Sequence, residues 1–246
     1  MIRVLNYNAE AARYDATRGG VPRAEAAAEA VLGLVPDSAR TLLDIGCGTG
    51  SVTQRLNRPG LRVLGADASY GMASIATERV GRRIVLADVN QLPFRAGVLD
   101  AVTAVWLLHL GRMAPQFVVA EVARVLKPGG VFITTVDKDA AHDVGSDIDA
   151  LLTPHRTGIP SDRADLIESY AARHGLTPVA EARFTGHGQG RTPLAAADAV
   201  RRGRFASWFT LAGPPAEQLA AALAALPDPD RPRADPEYRL LALRKE

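Results

Sequence analysis

The chain has 246 residues, of which 47% are hydrophobic and 23% are charged, and its formal net charge is +2. This balance excludes a disordered or fibrous protein, and the length accommodates one large α/β domain. No run approaches the roughly 20 apolar residues of a membrane-spanning helix, and residues 1–14 lack the apolar core of a signal peptide. The sequence predicts a cytoplasmic protein.

The number and spacing of the cysteine, histidine and basic residues exclude several kinds of site. The single cysteine, Cys47, rules out an internal disulfide and a metal site built from several cysteines. The five histidines do not have the spacing of metal ligands, so we predict no metal ion. Lysine and arginine are scattered and aromatic residues make up only 5% of the chain, which argues against a nucleic-acid partner. No amphipathic membrane-binding helix is evident, so we predict no membrane partner.

Short apolar runs alternate with helical patterns along the chain. Runs typical of buried strands occupy residues 41–45, 61–66, 84–87, 99–106, 131–136, 179–185 and 238–244. Helical patterns occupy residues 21–35, 51–56, 70–80, 115–126, 147–152, 161–174, 194–202 and 215–226. This order predicts an α/β fold: a Rossmann-like, doubly wound, seven-stranded and mostly parallel sheet, with an antiparallel C-terminal strand and helical substrate-cap elements.

The alternation weakens beyond residue 137, which divides this single domain into three parts. We expect residues 1–35 to form an N-terminal helical lid and residues 36–137 to form the cofactor-binding core. Residues 138–246 would supply substrate-shaping helices and closing strands. Three aromatic residues in that last part are candidates for a substrate pocket, although such residues near a helix end are more often core: Phe205, Trp208 and Phe209.

The strongest motif is the segment 44–50, which follows the first predicted strand and has the pattern D-x-G-x-G-x-G. Glycine permits both a sharp turn and close approach of the backbone to a ligand. The dinucleotide fingerprint G-x-G-x-x-G, started at Gly46, would need a glycine where Ser51 stands. The carboxylate of Asp44 would repel a pyrophosphate, but it can reach an ammonium group or brace the loop.

The ends of the next two strands carry further acids. Asp67 follows the second strand, where a carboxylate can accept hydrogen bonds from both hydroxyls of a ribose. Met72 lies in the next helix and either contacts a purine ring or fills the core. Asp88 and Val89 follow the third strand, where they could read an adenine amino group. Together these positions predict a ligand with an amino acid at one end and adenosine at the other.

The motifs resemble, in order and spacing, those of class I S-adenosylmethionine-dependent methyltransferases. The resemblance covers about residues 36–137 and is carried by residues 44–50, Asp67, residues 88–94 and residues 126–130. Tyr14, Asp15 and Arg18 form a segment similar to the N-terminal region of the ubiquinone and menaquinone C-methyltransferases. The resemblance implies S-adenosyl-L-methionine as cofactor and S-adenosyl-L-homocysteine as product.

The same resemblance implies a set of cofactor-binding residues. Three glycines would lie against the methionine moiety, Tyr14 and Arg18 near its carboxylate, and Asp67 on the ribose. Cys47 is interpreted as a small residue packed in a tight loop, not as a nucleophile. The full predicted set is Tyr14, Arg18, Asp44, Gly46, Cys47, Gly48, Gly50, Asp67, Ala68, Met72, Asp88, Val89 and Trp106.

Methyl transfer from a sulfonium requires the nucleophile, the methyl group and the sulfur to be held in line with water excluded. A base is needed only when the acceptor is a hydroxyl, a protonated amine or a carbon that must lose a proton. His109 is the first candidate base and Tyr14 the second. A structural role in packing is an equal alternative for His109. His109 and Trp106 both follow the fourth strand, at the ligand-binding edge of the sheet.

We therefore expect methyl transfer to a small organic metabolite by a monomer or homodimer. The Ala- and Arg-rich composition is typical of a high-GC bacterial gene, for which secondary metabolism is a plausible setting. A peptide acceptor remains an alternative, as does a non-catalytic module that binds S-adenosylmethionine. An NAD(P)-dependent oxidoreductase is disfavoured by the glycine spacing.

Overall fold

A computed structural model describes residues 6–110, 114–203 and 213–246. Its strands are β1 Thr41–Ile45, β2 Arg62–Asp67, β3 Ile84–Leu86, β4 Leu99–Ala104, β5 Leu126–Val136, β6 Leu176–Thr185 and β7 Glu237–Lys245. They form one seven-stranded sheet in the order β3-β2-β1-β4-β5-β7-β6. The first five strands pair in parallel, whereas β7 runs antiparallel to both β5 and β6. The predicted Rossmann-like fold is confirmed.

Helices cover both faces of the sheet. They are α1 Tyr7–Glu10, α2 Gly20–Leu34, α3 Tyr70–Val80, α4 Pro115–Val125, α5 Asp147–Leu152, α6 Ala164–Ala172, α7 Pro193–Arg201 and α8 Pro214–Ala224. Successive strand residues point to opposite faces, so Leu43 joins the core cluster under α4 and α6 while Leu42 joins the cluster under α2. A third cluster unites α5, α7 and α8 on its own.

The predicted helix at residues 51–56 is wrong. The chain there forms only a short 3-10 turn, Thr53–Arg55. Pro59 disfavours a helical conformation at Arg58, and too few residues remain before it to establish a stable helix. The glycine loop is therefore followed by a compact turn and not by the amino end of a long helix.

The helix predicted at residues 161–174 begins later, at Ala164, and Ser161 and Asp162 do not cap it. The Ser161 hydroxyl instead donates to the Leu108 carbonyl at 2.8 Å. The buried Asp162 accepts a hydrogen bond from the Lys138 backbone N–H at 3.0 Å. Both side chains tie this segment to the carboxyl edge of the sheet.

Strand β4 ends at Ala104, two residues before the predicted end at Trp106. Trp106 has φ +54°, a left-handed conformation that an extended strand cannot contain. Its backbone N–H donates to the Thr135 hydroxyl at 2.7 Å, which fixes the chain as it leaves the sheet.

Within the residues that the structure describes, no helix has the length and apolar character needed to cross a membrane. The aromatic residues Phe205, Trp208 and Phe209, proposed above for a substrate pocket, lie outside the described residues.

Asp100 links the amino ends of the central strands. One carboxylate oxygen accepts hydrogen bonds from the backbone N–H groups of Arg40 and Thr41 and from the Thr41 hydroxyl, at 3.0, 2.9 and 2.8 Å. The other oxygen lies 2.7 Å from the Lys127 ammonium. Burial raises the pKa of Asp100, but the hydrogen bonds from Lys127, Thr41 and Arg40 outweigh it and lower that pKa to about 2.

We expect Asp100→Asn to lower the free energy of unfolding at pH 7 by on the order of 1 kcal/mol, after allowance for solvent screening. A depressed pKa contributes stability that is present above the unfolded value of about 3.9 and is lost as pH falls toward the folded value. Urea unfolding at about pH 7 and pH 3 measures both terms. The gap between wild type and variant should shrink at the lower pH; a constant gap would contradict the assignment. Asp37→Asn, at an exposed site, is the control.

Candidate functional site

An open cleft of about 510 Å³ lies at the carboxyl ends of β1 and β4. In a doubly wound sheet this is where strand order reverses, and such crevices bind ligands. Three parts of the chain meet there: residues 14–24, the glycine loop after β1 and the segment after β4. The lining residues are Tyr14, Asp15, Arg18, Gly20, Arg23, Ala24, Asp44, Gly46, Cys47, Gly48, Thr49, Ser51, Val52, Val105 and Trp106.

The glycines Gly46, Gly48 and Gly50 of the loop have different structural roles. Gly46 has φ +65°, and a Cβ there would lie 2.6 Å from Cδ1 of Leu107. Gly48 also has a positive φ, +55°, but a Cβ there would meet no atom within 4 Å. Gly46 is thus required by packing, whereas Gly48 faces the open cleft and keeps its backbone accessible to a ligand. Gly50 packs against Ala76 and does not line the cleft.

Asp44 is the penultimate residue of β1 and lines the cleft. Its carboxylate accepts a hydrogen bond from the Thr53 hydroxyl at 2.6 Å. Burial raises the pKa of Asp44 to about 7; the Thr53 hydrogen bond opposes this rise and the charge of Asp67 adds to it. A cationic group bound in the cleft would favour the ionised form. Asp44 therefore both braces the turn and offers a site for an ammonium group.

Asp67 fastens the glycine loop to the end of β2. Its two oxygens accept hydrogen bonds from the backbone N–H groups of Gly48 and Ser69, each at 2.8 Å. Burial raises the pKa of Asp67, while the hydrogen bonds from Ser69, Gly48 and Ala68 oppose that rise. An ionised carboxylate has about four acceptor positions, so capacity remains for ribose hydroxyls. Among the described residues, neither Asp67 nor the exposed Ala68 lines the cleft.

The residues predicted to surround adenine are further from open space. Met72 is 2% exposed and Val89 is 3% exposed, so both side chains lie in the protein interior. Asp88 is exposed, and its carboxylate accepts hydrogen bonds from the backbone and side-chain amides of Asn90, each at 2.9 Å. The burial of Met72 supports the alternative that this side chain fills the core. Contacts of Met72, Asp88 and Val89 with adenine stay predictions.

The N-terminal segment is attached to the glycine loop through Asp15. Its carboxylate accepts from the Thr49 hydroxyl at 2.7 Å and pairs with the Arg79 guanidinium at 2.6 Å. The same guanidinium donates to the Thr49 carbonyl at 3.1 Å. Tyr14 and Arg18, which flank Asp15 in the chain, line the cleft. Arg18 lies 5.6 Å from the Tyr14 ring centroid.

Trp106 forms a wall of the cleft. The Arg23 guanidinium carbon stacks 3.3 Å above its ring centroid, and the rings of Phe184 and Tyr238 meet it edge-on at 5.5 and 5.4 Å. A left-handed conformation is costly for so large a side chain and is typical of functional sites. This arrangement presents a flat, cation-faced surface beside the glycine loop.

His109 lies close to the cleft without lining it, as far as the described residues show. Its Nδ1 is buried and has no hydrogen-bond partner in that part of the chain. Burial lowers the pKa of His109 well below the usual range, and the nearby charges of Lys138, Arg18 and Arg23 lower it further. The imidazole is therefore neutral at pH 7 and has an unused nitrogen, which is compatible with a proton acceptor of modest strength.

Cys47 lines the cleft but is not activated. Burial raises the pKa of its thiol, and the charges of Asp44 and Asp67 raise it further. A thiol that stays protonated is a poor nucleophile. The packing interpretation of Cys47 is thus supported.

Sequence reasoning missed several lining residues, chiefly Asp15, Arg23 and Thr49. Asp15 and Thr49 adjoin predicted site residues, but their mutual contact spans 34 residues and has no local signature. Arg23 did carry a signal, because it lies one turn before Ala27 on the apolar face of α2 and is itself 7% exposed. A charged residue on a buried helix face is a candidate functional group.

Comparisons with known proteins indicate a methyltransferase domain. Residues 43–134 match the family model of a methyltransferase domain. An uncharacterised methyltransferase of Mycobacterium bovis is 32% identical over 127 residues, 51% of this chain and 49% of the relative. A demethylmenaquinone methyltransferase of Symbiobacterium thermophilum is 34% identical over 102 residues, 37% of this chain and 40% of the relative. The chain thus spans about half, or less, of these curated relatives.

A solved structure matches over nearly the whole chain. The crystal structure of a (4+2)-cyclase has a TM-score of 0.61 and 22% identity, with 97% of this chain and 93% of that chain covered. At this identity the match shows the fold alone. It extends the agreement beyond the methyltransferase domain to the C-terminal helices and strands.

We expect Asp67→Ala to weaken the binding of S-adenosylhomocysteine about tenfold or more, because charge-assisted hydrogen bonds to the ribose and the brace on Gly48 are lost together. Isothermal titration of the variant and wild type measures the effect. Asp37→Ala, an exposed acid before β1, should bind as wild type does. An affinity unchanged in Asp67→Ala would remove this carboxylate from the cofactor site.

We also expect cofactor affinity to depend on the ionisation of Asp44. Its pKa of about 7 in the free protein means that protons compete with a bound ammonium group below this value. Affinity for S-adenosylhomocysteine should therefore rise as pH increases through about 7 and then level off. Asp44→Asn should bind more weakly and lose this pH dependence. The same slope in wild type and variant would assign the titration to another group.

Proposed function

Residues 43–134 belong to the class I S-adenosylmethionine-dependent methyltransferases, and on that premise we propose that this protein transfers a methyl group from S-adenosylmethionine to a small organic acceptor. The observation that carries the proposal is the convergence, at one cleft, of Asp44, the glycine loop and Trp106. These three features supply a carboxylate for an ammonium group, an accessible backbone and an aromatic wall faced by the Arg23 guanidinium.

The cleft fits the proposed cofactor chemically. Gly48 leaves open space where any side chain would intrude, and buried Asp44 gains from a positive partner. We assign Arg18 and Tyr14 to the methionine carboxylate, and Asp67 to the ribose. When bound, S-adenosylmethionine supplies a methyl group already activated by a sulfonium. The protein's own contribution is then to orient the acceptor and exclude water.

We propose that the N-terminal lid and the C-terminal substrate-cap elements surround the methyl acceptor. We assign residues 1–35 to a lid, since Asp15 attaches this segment to Thr49 of the glycine loop. Residues 138–246 are assigned to acceptor selection, because they contribute Phe184 and Tyr238 to the ring cluster around Trp106. The acceptor would lie against the aromatic wall of the open cleft, and such a site suits a small organic molecule. Bacterial secondary metabolism is the setting we propose, on composition alone.

The first experiment is isothermal titration of the protein with S-adenosylmethionine, S-adenosylhomocysteine and NADH. We expect the two sulfur compounds to bind and NADH to be silent. Binding of NADH alone would overturn the proposal in favour of an oxidoreductase. Incubation with methyl-labelled cofactor and fractionated metabolites then separates an enzyme from a non-catalytic binding module. Transfer of label to small metabolites supports the proposal, and transfer only to peptides would replace its acceptor class.

Once an acceptor is found, His109→Ala tests the base. If the neutral imidazole accepts the proton, we expect kcat to fall about a hundredfold with little change in affinity for S-adenosylhomocysteine. The depressed pKa of His109 in the free protein also predicts that wild-type kcat/KM falls only on the acid side, below the usual histidine range. His174→Ala, at an exposed position, is the matched control. Equal turnover in His109→Ala and wild type would leave His109 as a packing residue.

A further inference from the structure

Basic side chains gather beside the cleft, and the proposed transfer from S-adenosylmethionine does not account for them all. Arg18 and Arg23 come from the start of the chain, whereas Lys138 follows β5. Burial lowers the pKa of Lys138; the charges of Asp139 and Asp162 oppose this fall, and those of Arg18 and Arg23 add to it. Burial also lowers the pKa of His109, and the charges of Lys138, Arg18 and Arg23 lower it further. The three cations therefore lie within range of one another's charge. We call Arg18, Arg23 and Lys138 the basic cluster.

Arg23 is the most unusual member. It is only 7% exposed, and its guanidinium lies between the Trp106 ring and the Arg18 carbonyl, to which Nη1 donates at 3.1 Å. Its Nε is buried without a hydrogen-bond partner in the described part of the chain. Burial lowers the pKa of Arg23 and the charge of Arg18 adds to the fall, whereas Tyr238 and Tyr14 oppose it. A buried cation of this kind is costly unless an anion meets it.

The protein supplies little negative charge to compensate the basic cluster. Across residues 6–110, 114–203 and 213–246, neither Arg18 nor Arg23 forms an ion pair with an acid. The Lys138 side chain is 20% exposed, and its ion pair with Asp139 is long, at 3.8 Å. Asp162 accepts from the Lys138 backbone N–H, and burial raises the pKa of Asp162 to about 6. The cluster therefore retains a net positive charge.

The acids elsewhere in the cleft are already engaged. Asp15 pairs with Arg79 and accepts from Thr49, on the side of the glycine loop. Asp44 holds the Thr53 hydroxyl and is placed for the ammonium group of the cofactor. The cleft thus has an acidic side at the glycine loop and a basic side at Trp106. A molecule placed across it would be oriented by charge.

We propose that the methyl acceptor carries an anionic group, a carboxylate or a phosphoryl group, which Arg23 and Lys138 bind. This inference rests on the proposed function, since it names the acceptor class for the same site. Guanidinium and ammonium groups form short, charge-assisted hydrogen bonds with both kinds of oxyanion. Stacking on Trp106 holds the Arg23 guanidinium flat and in one orientation, which reduces the entropy lost on binding.

Binding of the acceptor's anionic group also changes the pKa of His109. In the free protein the three cations oppose protonation of this imidazole. An anion bound among them offsets their charge, so the pKa of His109 rises toward its usual range. A base beside the acceptor therefore becomes stronger only when the acceptor is in place.

The test uses the protein saturated with S-adenosylhomocysteine, so that the carboxylate of the cofactor already occupies its own site. At constant ionic strength, isothermal titration with pyrophosphate and with benzoate should show binding of at least one of them, with chloride as background. Binding of pyrophosphate alone assigns a phosphoryl group, and binding of benzoate alone assigns a carboxylate. Absence of binding by both anions would overturn the proposal.

Variants locate the anion. Arg23→Gln and Lys138→Gln should each weaken anion binding about tenfold or more, through loss of a charge-assisted contact. Arg62→Gln, exposed at the opposite, amino end of β2, should match wild type. If Arg23→Gln unfolds at a lower temperature than wild type, Arg23→Lys, which keeps the positive charge, is used in its place. Unchanged anion affinity in folded Arg23→Gln and Lys138→Gln would place the anion elsewhere and refute the assignment.

Failure of this inference is distinguishable from failure of the proposed function. Binding of S-adenosylhomocysteine without any anion binding refutes the anionic acceptor and leaves methyl transfer standing. Anion binding to a protein that ignores S-adenosylhomocysteine refutes methyl transfer and retains the anion site. Anion binding that disappears on saturation with S-adenosylhomocysteine would mean that the basic cluster holds the cofactor's carboxylate, which also overturns the proposal.

Discussion

The site depends on one constraint, the sharp turn that the chain makes on leaving β1. Gly46 and Gly48 both adopt left-handed backbone conformations there, and Leu107 leaves no room for a side chain on Gly46. The Asp67 carboxylate then holds the turn by accepting the Gly48 N–H. Because β1 and β2 are parallel neighbours, this acid reaches across from the adjacent strand end. The turn, the open backbone and the position of Asp44 all follow from that arrangement.

Opposite charges lie on the two sides of the cleft. Asp44 and the partly buried Asp67 lie at the glycine loop, and burial raises the pKa of each. Arg18 and Arg23 lie at the opposite side, where burial lowers the pKa of Arg23. The ammonium group of the proposed cofactor would compensate the acidic side, and the anionic group of the proposed acceptor would compensate the basic side. This compensation connects the proposed cofactor with the proposed acceptor.

Trp106 joins the two parts of the domain. Its left-handed backbone ends β4 at the cleft, and its ring contacts Arg23 from α2, Phe184 from β6 and Tyr238 from β7. The C-terminal strands are therefore part of the site wall as well as of the sheet. Strain at this position is compensated by the Thr135 hydroxyl, which accepts the Trp106 N–H.

The sequence by itself determined the α/β fold and the methyltransferase motifs, because strand alternation, the glycine spacing and Asp67 are local patterns. It misplaced the helix after the glycine loop, where Pro59 acts over a short distance. It did not identify Arg23 or the link from Asp15 to Thr49, because these contacts join residues distant in the chain. Only the tertiary structure decided which side chains are buried together, and burial is the largest cause of the pKa shifts of Asp44, Arg23 and His109.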